Sequence, residues 1–319
     1  MKQVTVVIPN YNGIQFIEGC IKSLKAQTSA VEFEIIVVDN GSTDGSRELV
    51  EKKHKDVKMI SLDKNYGFCK AVNVGIQEAK TPYVILLNND TKVVDGFVKI
   101  LYERIEGNER IFSVSPMMIQ AKQPKLIDDA GDFYCALGWA YAMGKDKPVQ
   151  QYEKSYPVTA ACGGASIYRK KIFEKIGYFD EAHFAYLEDI DVGYRARIFG
   201  FQNIYEPRAK VYHEGSGASG SRYNEFKVKH SSRNSIYLIR KNMPWIQRLV
   251  NLPFFIIGFG IKALFFYRKG FGGMYLKGLF QGMTNPIGEK RVSFQWKHLK
   301  NYLMLQWELW VNMFKRVMG

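Results

Sequence analysis

Cysteine is scarce in this chain: 319 residues hold four, Cys20, Cys69, Cys135 and Cys162, with no CxxC pair among them. That excludes a zinc ribbon and a disulfide scaffold, and it points to a reducing compartment. A secretory signal is missing too. Met1-Lys2-Gln3 leads straight into Val4-Thr5-Val6-Val7-Ile8, with no basic region, apolar core and cleavage site, so the chain is expected to stay in the cytosol. The loop after that first apolar run reads Pro9-Asn10-Tyr11-Asn12-Gly13-Ile14 rather than GxGxxG, and no GxxxxGK[ST] occurs, which sets aside the dinucleotide and P-loop fingerprints. Acid is scarce at one end only. Residues 222–319 carry three acids, Glu225, Glu289 and Glu308, against 17 Lys and Arg, and so hold the whole net charge of +14, while residues 1–221 balance at 28 of each sign. Such a stretch expects an anionic partner, and the aromatics and aliphatics interleaved in it favour a membrane surface over nucleic acid.

What the chain does have is apolar content, 46% of its residues, enough for a full core in one large domain or one domain with an appendage. Val4 to Ile8 predicts a strand closed by Pro9, which lacks the N–H that a ladder needs. Tyr11-Asn12-Gly13 then turns into a helix with Ile17, Ile21 and Leu24 at helical spacing. Phe33 to Val38 is a second strand, ending at Asp39-Asn40-Gly41-Ser42-Thr43-Asp44-Gly45, and a weakly apolar helix follows from Ser46. Met59 to Leu62 gives a third strand, Asn65-Tyr66-Gly67 a turn, and Ala71 to Ala79 a helix that stops before Pro82. Tyr83-Val84-Ile85-Leu86-Leu87 is apolar throughout, as a strand buried on both faces is, and it delivers Asn88-Asn89-Asp90 to its carboxyl end. The alternation predicts an α/β fold with a mostly parallel central sheet and right-handed crossovers.

Open α/β sheets bind ligands at the carboxyl ends of their strands. Those ends carry Tyr11, an aromatic to lie against a base, Asp39, an acceptor for a base or ribose, and Asp90, a hard oxygen ligand for a divalent cation. Asn88-Asn89-Asp90 also suits a plain turn, since Asn and Asp favour turns. Three segments in this order, Val7-Ile8-Pro9-Asn10-Tyr11-Asn12, Val37-Val38-Asp39-Asn40-Gly41-Ser42-Thr43-Asp44-Gly45 and Asn65-Tyr66-Gly67-Phe68, strongly resemble the inverting family-two glycosyltransferases of GT-A fold. Leu86-Leu87-Asn88-Asn89-Asp90 is similar to that family's DxD position, with Asn88 in place of the first acid. The resemblance implies that Pro9, Tyr11, Asp39, Asn65, Gly67, Asn88 and Asn89 line the site of a UDP- or dTDP-linked sugar donor, and that Asp90 holds Mn2+ or Mg2+.

Farther along, Ile111 to Ser115 reads as another strand, and Trp139 to Lys145 with Val158 to Ala165 forms a region bearing glycine and aromatics, where a sugar acceptor would stack. Gly163 and Gly164 allow a ligand close to the backbone, or alternatively mark a bulge. Glu188-Asp189-Ile190-Asp191 packs three carboxylates into four residues. Mutual repulsion makes that unusual without a cation or a function nearby. The other reading is an acidic helix start favoured by the macrodipole, with Arg195 as ion-pair partner. The resemblance makes Asp189 the general base, puts Glu188 with Gly163 and Gly164 on the acceptor side, and makes His213, in Pro207-Arg208-Ala209-Lys210-Val211-Tyr212-His213, a further metal ligand. The chemistry fits: an attacking hydroxyl needs a base, and a departing nucleoside diphosphate needs its charge stabilised. His54, His183, His230 and His298 receive no role.

Glu214 to Ser221 is flexible by composition, a lid or a plain linker. The helix around Lys229, Ser232, Arg233, Asn234, Ile236 and Arg240 resembles rhamnosyltransferase-like members. Leu249 to Tyr267 is apolar but holds Asn251, Pro253 and Lys262, which suits an in-plane or re-entrant segment better than a bilayer span. Trp296, Leu299, Leu303, Trp307, Trp310 and Phe314 alternate with Lys297, Lys300, Lys315 and Arg316, fitting a headgroup region or, otherwise, packing on the core or a second subunit. Residues 1–220 are thus expected to be the catalytic domain and 221–319 a helical, membrane-associating region. A chain ending near Asn242 is expected to stay soluble. The activity implied is inverting transfer of a sugar to a lipid-linked or growing glycan acceptor at the cytosolic membrane face. The alternative is a noncatalytic nucleotide-sugar-binding subunit, and oligomerisation is left open.

Overall fold

A computed structural model describes residues 2–28, 30–215, 223–286 and 291–318. The first half alternates as the pattern requires: β1 (Val4–Asn10), α1 (Ile17–Lys25), β2 (Phe33–Asn40), α2 (Ser46–Lys53), β3 (Lys58–Leu62), α3 (Phe68–Glu78) and β4 (Tyr83–Leu87). Then come β5 (Thr91–Val93), α4 (Phe97–Glu106), β6 (Ile111–Gln120), β7 (Ile127–Asp129), β8 (Asp132–Tyr134), β9 (Ala140–Ala142), β10 (Tyr156–Val158), β11 (Ala165–Arg169), α5 (Lys170–Ile176), α6 (Glu188–Ile198) and β12 (Gln202–His213). The chain ends in helices: α7 (Glu225–Asn242), α8 (Trp245–Arg268), α9 (Gly272–Thr284) and α10 (Leu299–Met318).

The main sheet runs β10-β12-β6-β11-β4-β1-β2-β3, with β5 on β12 and β7 on β6. Strands β1 to β4 are mutually parallel, and β6 is parallel to β12, but β11 runs antiparallel between β4 and β6. Period-two alternation splits the core. Val4, Val6 and Ile8 face α1 and α4 on one side, while Val7, Val84 and Leu86 face α3, α5 and α6 on the other. Pro9 does not end β1 as expected. It pairs with Val38 beyond Val7, the last residue of β1 that pairs with β4, so its missing N–H falls where no second neighbour asks for it.

The C-terminal helices share a core with the preceding part of the chain. Leu238, Ile239, Phe255, Tyr302, Leu305 and Leu309 pack with Tyr134 and Ala136, and with Ile190, Tyr194 and Ile198 of α6. This corrects the expectation for a chain cut near Asn242, because the cut would strip Phe255, Tyr302, Leu305 and Leu309 from that cluster and expose it. The expected boundary and most of the Glu214 to Ser221 lid, from Ser216 on, lie outside the described residues.

Candidate active site

The loops at the carboxyl ends of β1, β2 and β4 are tied together by asparagine. Asn10, at the end of β1 and 1% exposed, donates through Nδ2 to Asp39 Oδ1 (2.9 Å) and Ser46 Oγ (2.9 Å), and accepts from Asn89 Nδ2 (2.7 Å). The other Asp39 oxygen accepts from Ser42 N at 3.0 Å. Asp39 is therefore a buried acceptor held at the loop's base, with Tyr11 exposed beside it. Asn40 does the same for the next loop: its Nδ2 donates to Asn65 Oδ1 (3.0 Å) and Gly67 O (3.2 Å), and its Oδ1 accepts from Tyr66 N (3.0 Å). Gly67 sits at φ +89°, and a Cβ there would fall 2.7 Å from Phe184, so only glycine fits this turn.

Asp90 follows β4 and is 8% exposed; its Oδ1 has no hydrogen bond and faces His213 Nε2 at 3.3 Å. His213 ends β12, and Thr91 is its partner across β5, which brings the two side chains together. The far ring nitrogen, Nδ1, meets Asp128 Oδ2 at 2.7 Å, and Asp128 also pairs with Lys145. Burial opposes a charge on His213, but its bond to Asp128 and the Asp90 carboxylate facing Nε2 push its pKa up to about 10, so a cation bound there would displace the Nε2 proton. An unbonded carboxylate oxygen beside an imidazole nitrogen braced from behind by a carboxylate suits a divalent cation, because adjacent ligands on an octahedral ion with ~2.1 Å bonds lie about 3 Å apart. The donor set fits the expected metal.

The three crowded carboxylates of α6 have three environments. Asp191 is fully buried and bonded to Arg195 Nη2 (2.8 Å), Lys241 Nζ (2.9 Å) and Asn242 Nδ2 (2.8 Å). Burial alone would raise its pKa, but Arg195, Lys241 and His183 hold it far below the carboxylate range. The ion-pair reading is correct for Asp191. Glu188 is 8% exposed, its Oε2 has no hydrogen bond, and burial followed by the Asp189 charge pushes its pKa up to about 8. Asp189 is half-buried, accepts from Ile190 N (2.7 Å) and Gly163 N, and bonds to Asp132. Burial raises both Asp132 and Asp189, and the two carboxyls are bonded to each other. Asp129, buried beside them, is pushed up to about 7.

Gly163 and Gly164 form a turn entering β11, not a bulge. Gly164 O accepts from Asn88 N at 2.7 Å. The space that a Cβ would need is filled from within, by Phe68 at 3.3 Å for Gly163 and Asn88 Nδ2 at 3.0 Å for Gly164. Among the described residues the site closes as a ring: Asp90, His213, Asp128 and Asp129, Asp132, Asp189, Gly163 and Gly164, and Asn88 back to Asp90. Sequence reasoning passed over Asn10, Asn40, Asp128, Asp129 and Asp132. Asp128-Asp129-Ala130-Gly131-Asp132 shows the same acid crowding that singled out Glu188 to Asp191 and was available as a signal.

The model of the family described as Glycosyl transferase family 2 matches residues 5–177. The chain belongs to that family. An N-acetylglucosaminyl-diphospho-decaprenol L-rhamnosyltransferase of Mycobacterium tuberculosis is 26% identical over 267 residues, covering 75% of this chain and 85% of that one. The low-salt glycan biosynthesis hexosyltransferase Agl10 of Haloferax volcanii is 28% identical over 307 residues, covering 91% and 94%. Among solved structures, GalNAc-T7 with UDP, GalNAc and Mn2+ superposes with a TM-score of 0.61 at 18% identity, covering 76% of this chain. That likeness concerns the fold, which is GT-A. The chain spans 48% of that GalNAc-T7 chain and from 18% to 94% of the length of curated relatives that it resembles.

Proposed function

We propose that this glycosyltransferase moves a sugar, with inversion, from a nucleotide-sugar donor to a lipid-linked or growing glycan acceptor in cell-surface polysaccharide synthesis. The observation that carries this is one ring of residues that sets the Asp90 and His213 pair on one side and Asp189 on the other. Asp90 and His213 would hold Mn2+ or Mg2+, and the cation would stabilise the nucleoside diphosphate as it leaves. Asp189, in its ionised form, takes the proton from the acceptor hydroxyl as that oxygen attacks. Pro9, Tyr11, Asp39, Asn65, Gly67, Asn88 and Asn89 form the donor side, and Glu188, Gly163 and Gly164 the acceptor side. A deoxyhexose donor is favoured by the L-rhamnosyltransferase relative.

The cytoplasmic face of the membrane is the proposed workplace, and the packing of α8 supports an in-plane placement. At 24 residues this helix is long enough to span, about 36 Å. Yet Gln247 accepts from Tyr194 OH (2.9 Å), Asn251 exchanges two amide bonds with Gln306 (2.7 and 2.9 Å), and Gly258 O accepts from Trp139 Nε1 (3.0 Å). One face is thus bound to the rest of the protein along its length, while Leu249, Ile256, Ile257, Ile261 and Leu264 stand exposed on the other. The +14 of residues 222–319 suits anionic lipid and repels a second copy meeting through the same region.

A panel of nucleotide sugars, each with Mn2+ and with chelator, tests the donor reading by thermal shift, because a ligand that binds only the native state raises apparent stability. One nucleoside diphosphate sugar should stabilise the protein only when the cation is present. Equal melting across the panel would reject the reading.

A further inference from the structure

The segment that delivers the proposed base is strained. Phe184, Tyr186 and Leu187, none of them glycine, have φ of 64°, 71° and 66°, immediately before Glu188 and Asp189. Side chains disfavour that region, and such backbone persists only where surrounding contacts hold it. Two neighbouring residues of α7 supply those contacts. Asn234, fully buried, directs Nδ2 at the carbonyls of His183 (3.0 Å), Ala185 (2.9 Å) and Tyr186 (2.7 Å). Arg233 Nη2 donates to the carbonyls of Ala182 (2.7 Å) and His183 (2.8 Å), and its Nε donates to Asn234 Oδ1 (2.9 Å), fixing which way the amide faces. The loop also touches the donor side, where Phe184 O accepts from Cys69 N (3.4 Å) and the Phe184 ring fills the space beside Gly67.

We propose that Arg233 and Asn234 are positioning residues for transfer: they clamp the strained Phe184 to Leu187 backbone so that Asp189 meets the acceptor hydroxyl. This rests on the reading of Asp189 as base. The donor loop has its own supports in Asn40 and Asn65, so the clamp governs turnover rather than donor binding.

Asn234→Asp keeps the shape and replaces the donor group with an oxygen that repels three carbonyls. Arg233→Ala is a second, half-exposed site should that variant fold poorly. Val228→Ala, a buried apolar position on the same helix, controls for loss of stability alone. With the donor that the thermal-shift panel selects, release of nucleoside diphosphate by Asn234→Asp should fall about 10- to 100-fold in kcat, the scale of a misplaced catalytic group, with donor KM unchanged. Hydrogen exchange should quicken at Ala185 N and Asp191 N, which bond to His183 O and Leu187 O. Val228→Ala should melt earlier yet keep its kcat per folded molecule. Unchanged exchange in residues 183–191, or a loss of rate no greater than that of Val228→Ala at equal melting temperature, overturns the clamp. Full turnover by Asp189→Asn would instead overturn the base, leaving the exchange measurement to judge the clamp by itself.

Discussion

The role proposed for Asp189, which is bonded to Asp132, carries a pH dependence. As the base it must be ionised, and burial lifts its pKa above the ordinary carboxylate value. Activity should therefore be full at higher pH and fall as pH drops, with a midpoint above that of an unperturbed aspartate, about 3.9. Asp132→Asn, which removes the acid bonded to Asp189, should move that midpoint. Asp189→Asn keeps the side chain's outline and loses its basic oxygen, so the donor should still bind while transfer falls by more than about 100-fold. Near-normal turnover would pass the role to Glu188, since Asp191 is occupied by Arg195 and Lys241.

At the scale of elements, α6 and α7 are held together by buried charge. Asp191 on α6 meets Arg195 on its own helix and Lys241 on α7, which also bonds to Asp180 at 2.9 Å. Removing one partner leaves the others buried and uncompensated, so Asp191→Asn should cost about 3 to 5 kcal/mol in a denaturant titration. The depressed pKa of Asp191 fixes the sign with pH. Its stabilising share is complete above the unfolded value of about 3.9 and is lost only as pH falls toward the lower folded value. A stability difference between wild type and variant that persists unchanged at pH 2 would contradict this. These elements also mark where the sequence was legible. β1 to β4 each carry a short apolar run closed by polar or glycine residues, so their order and the donor loops could be read directly. The antiparallel β11 could not, because Ala165-Ser166-Ile167-Tyr168-Arg169 mixes polar and apolar residues that are all buried, and residue type does not encode the direction of a strand. His213 and Asp90 lie 123 residues apart in the chain, and only the pairing of β5 with β12 brings them together. The clamp by Arg233 and Asn234 was invisible for a different reason: backbone carbonyls and φ angles leave no mark in residue type.

For the whole molecule, the basic and apolar C-terminal helices share a hydrophobic core with α6, so membrane binding should bring the candidate site with it. Wild-type protein should sediment with vesicles of phosphatidylcholine and phosphatidylglycerol, and high salt should release only part of it, since each basic residue near an anionic surface contributes about 1 kcal/mol and apolar burial adds to that. Ile256→Glu with Leu264→Glu, both on the exposed face of α8, should weaken sedimentation without lowering the melting temperature. Protein that stays in the supernatant at low salt would return that face to a packing role. The central claim, a cation-dependent transferase with Asp189 as its base, is tested most directly by release of nucleoside diphosphate from the selected donor in the presence of a bacterial lipid extract. Wild type should release it with Mn2+ and not after chelation, and Asp90→Ala and Asp189→Asn should each stop release while remaining folded. A wild-type protein that donor and Mn2+ stabilise, but that releases no nucleoside diphosphate with any lipid or glycan extract, would contradict the account and leave a noncatalytic nucleotide-sugar-binding subunit.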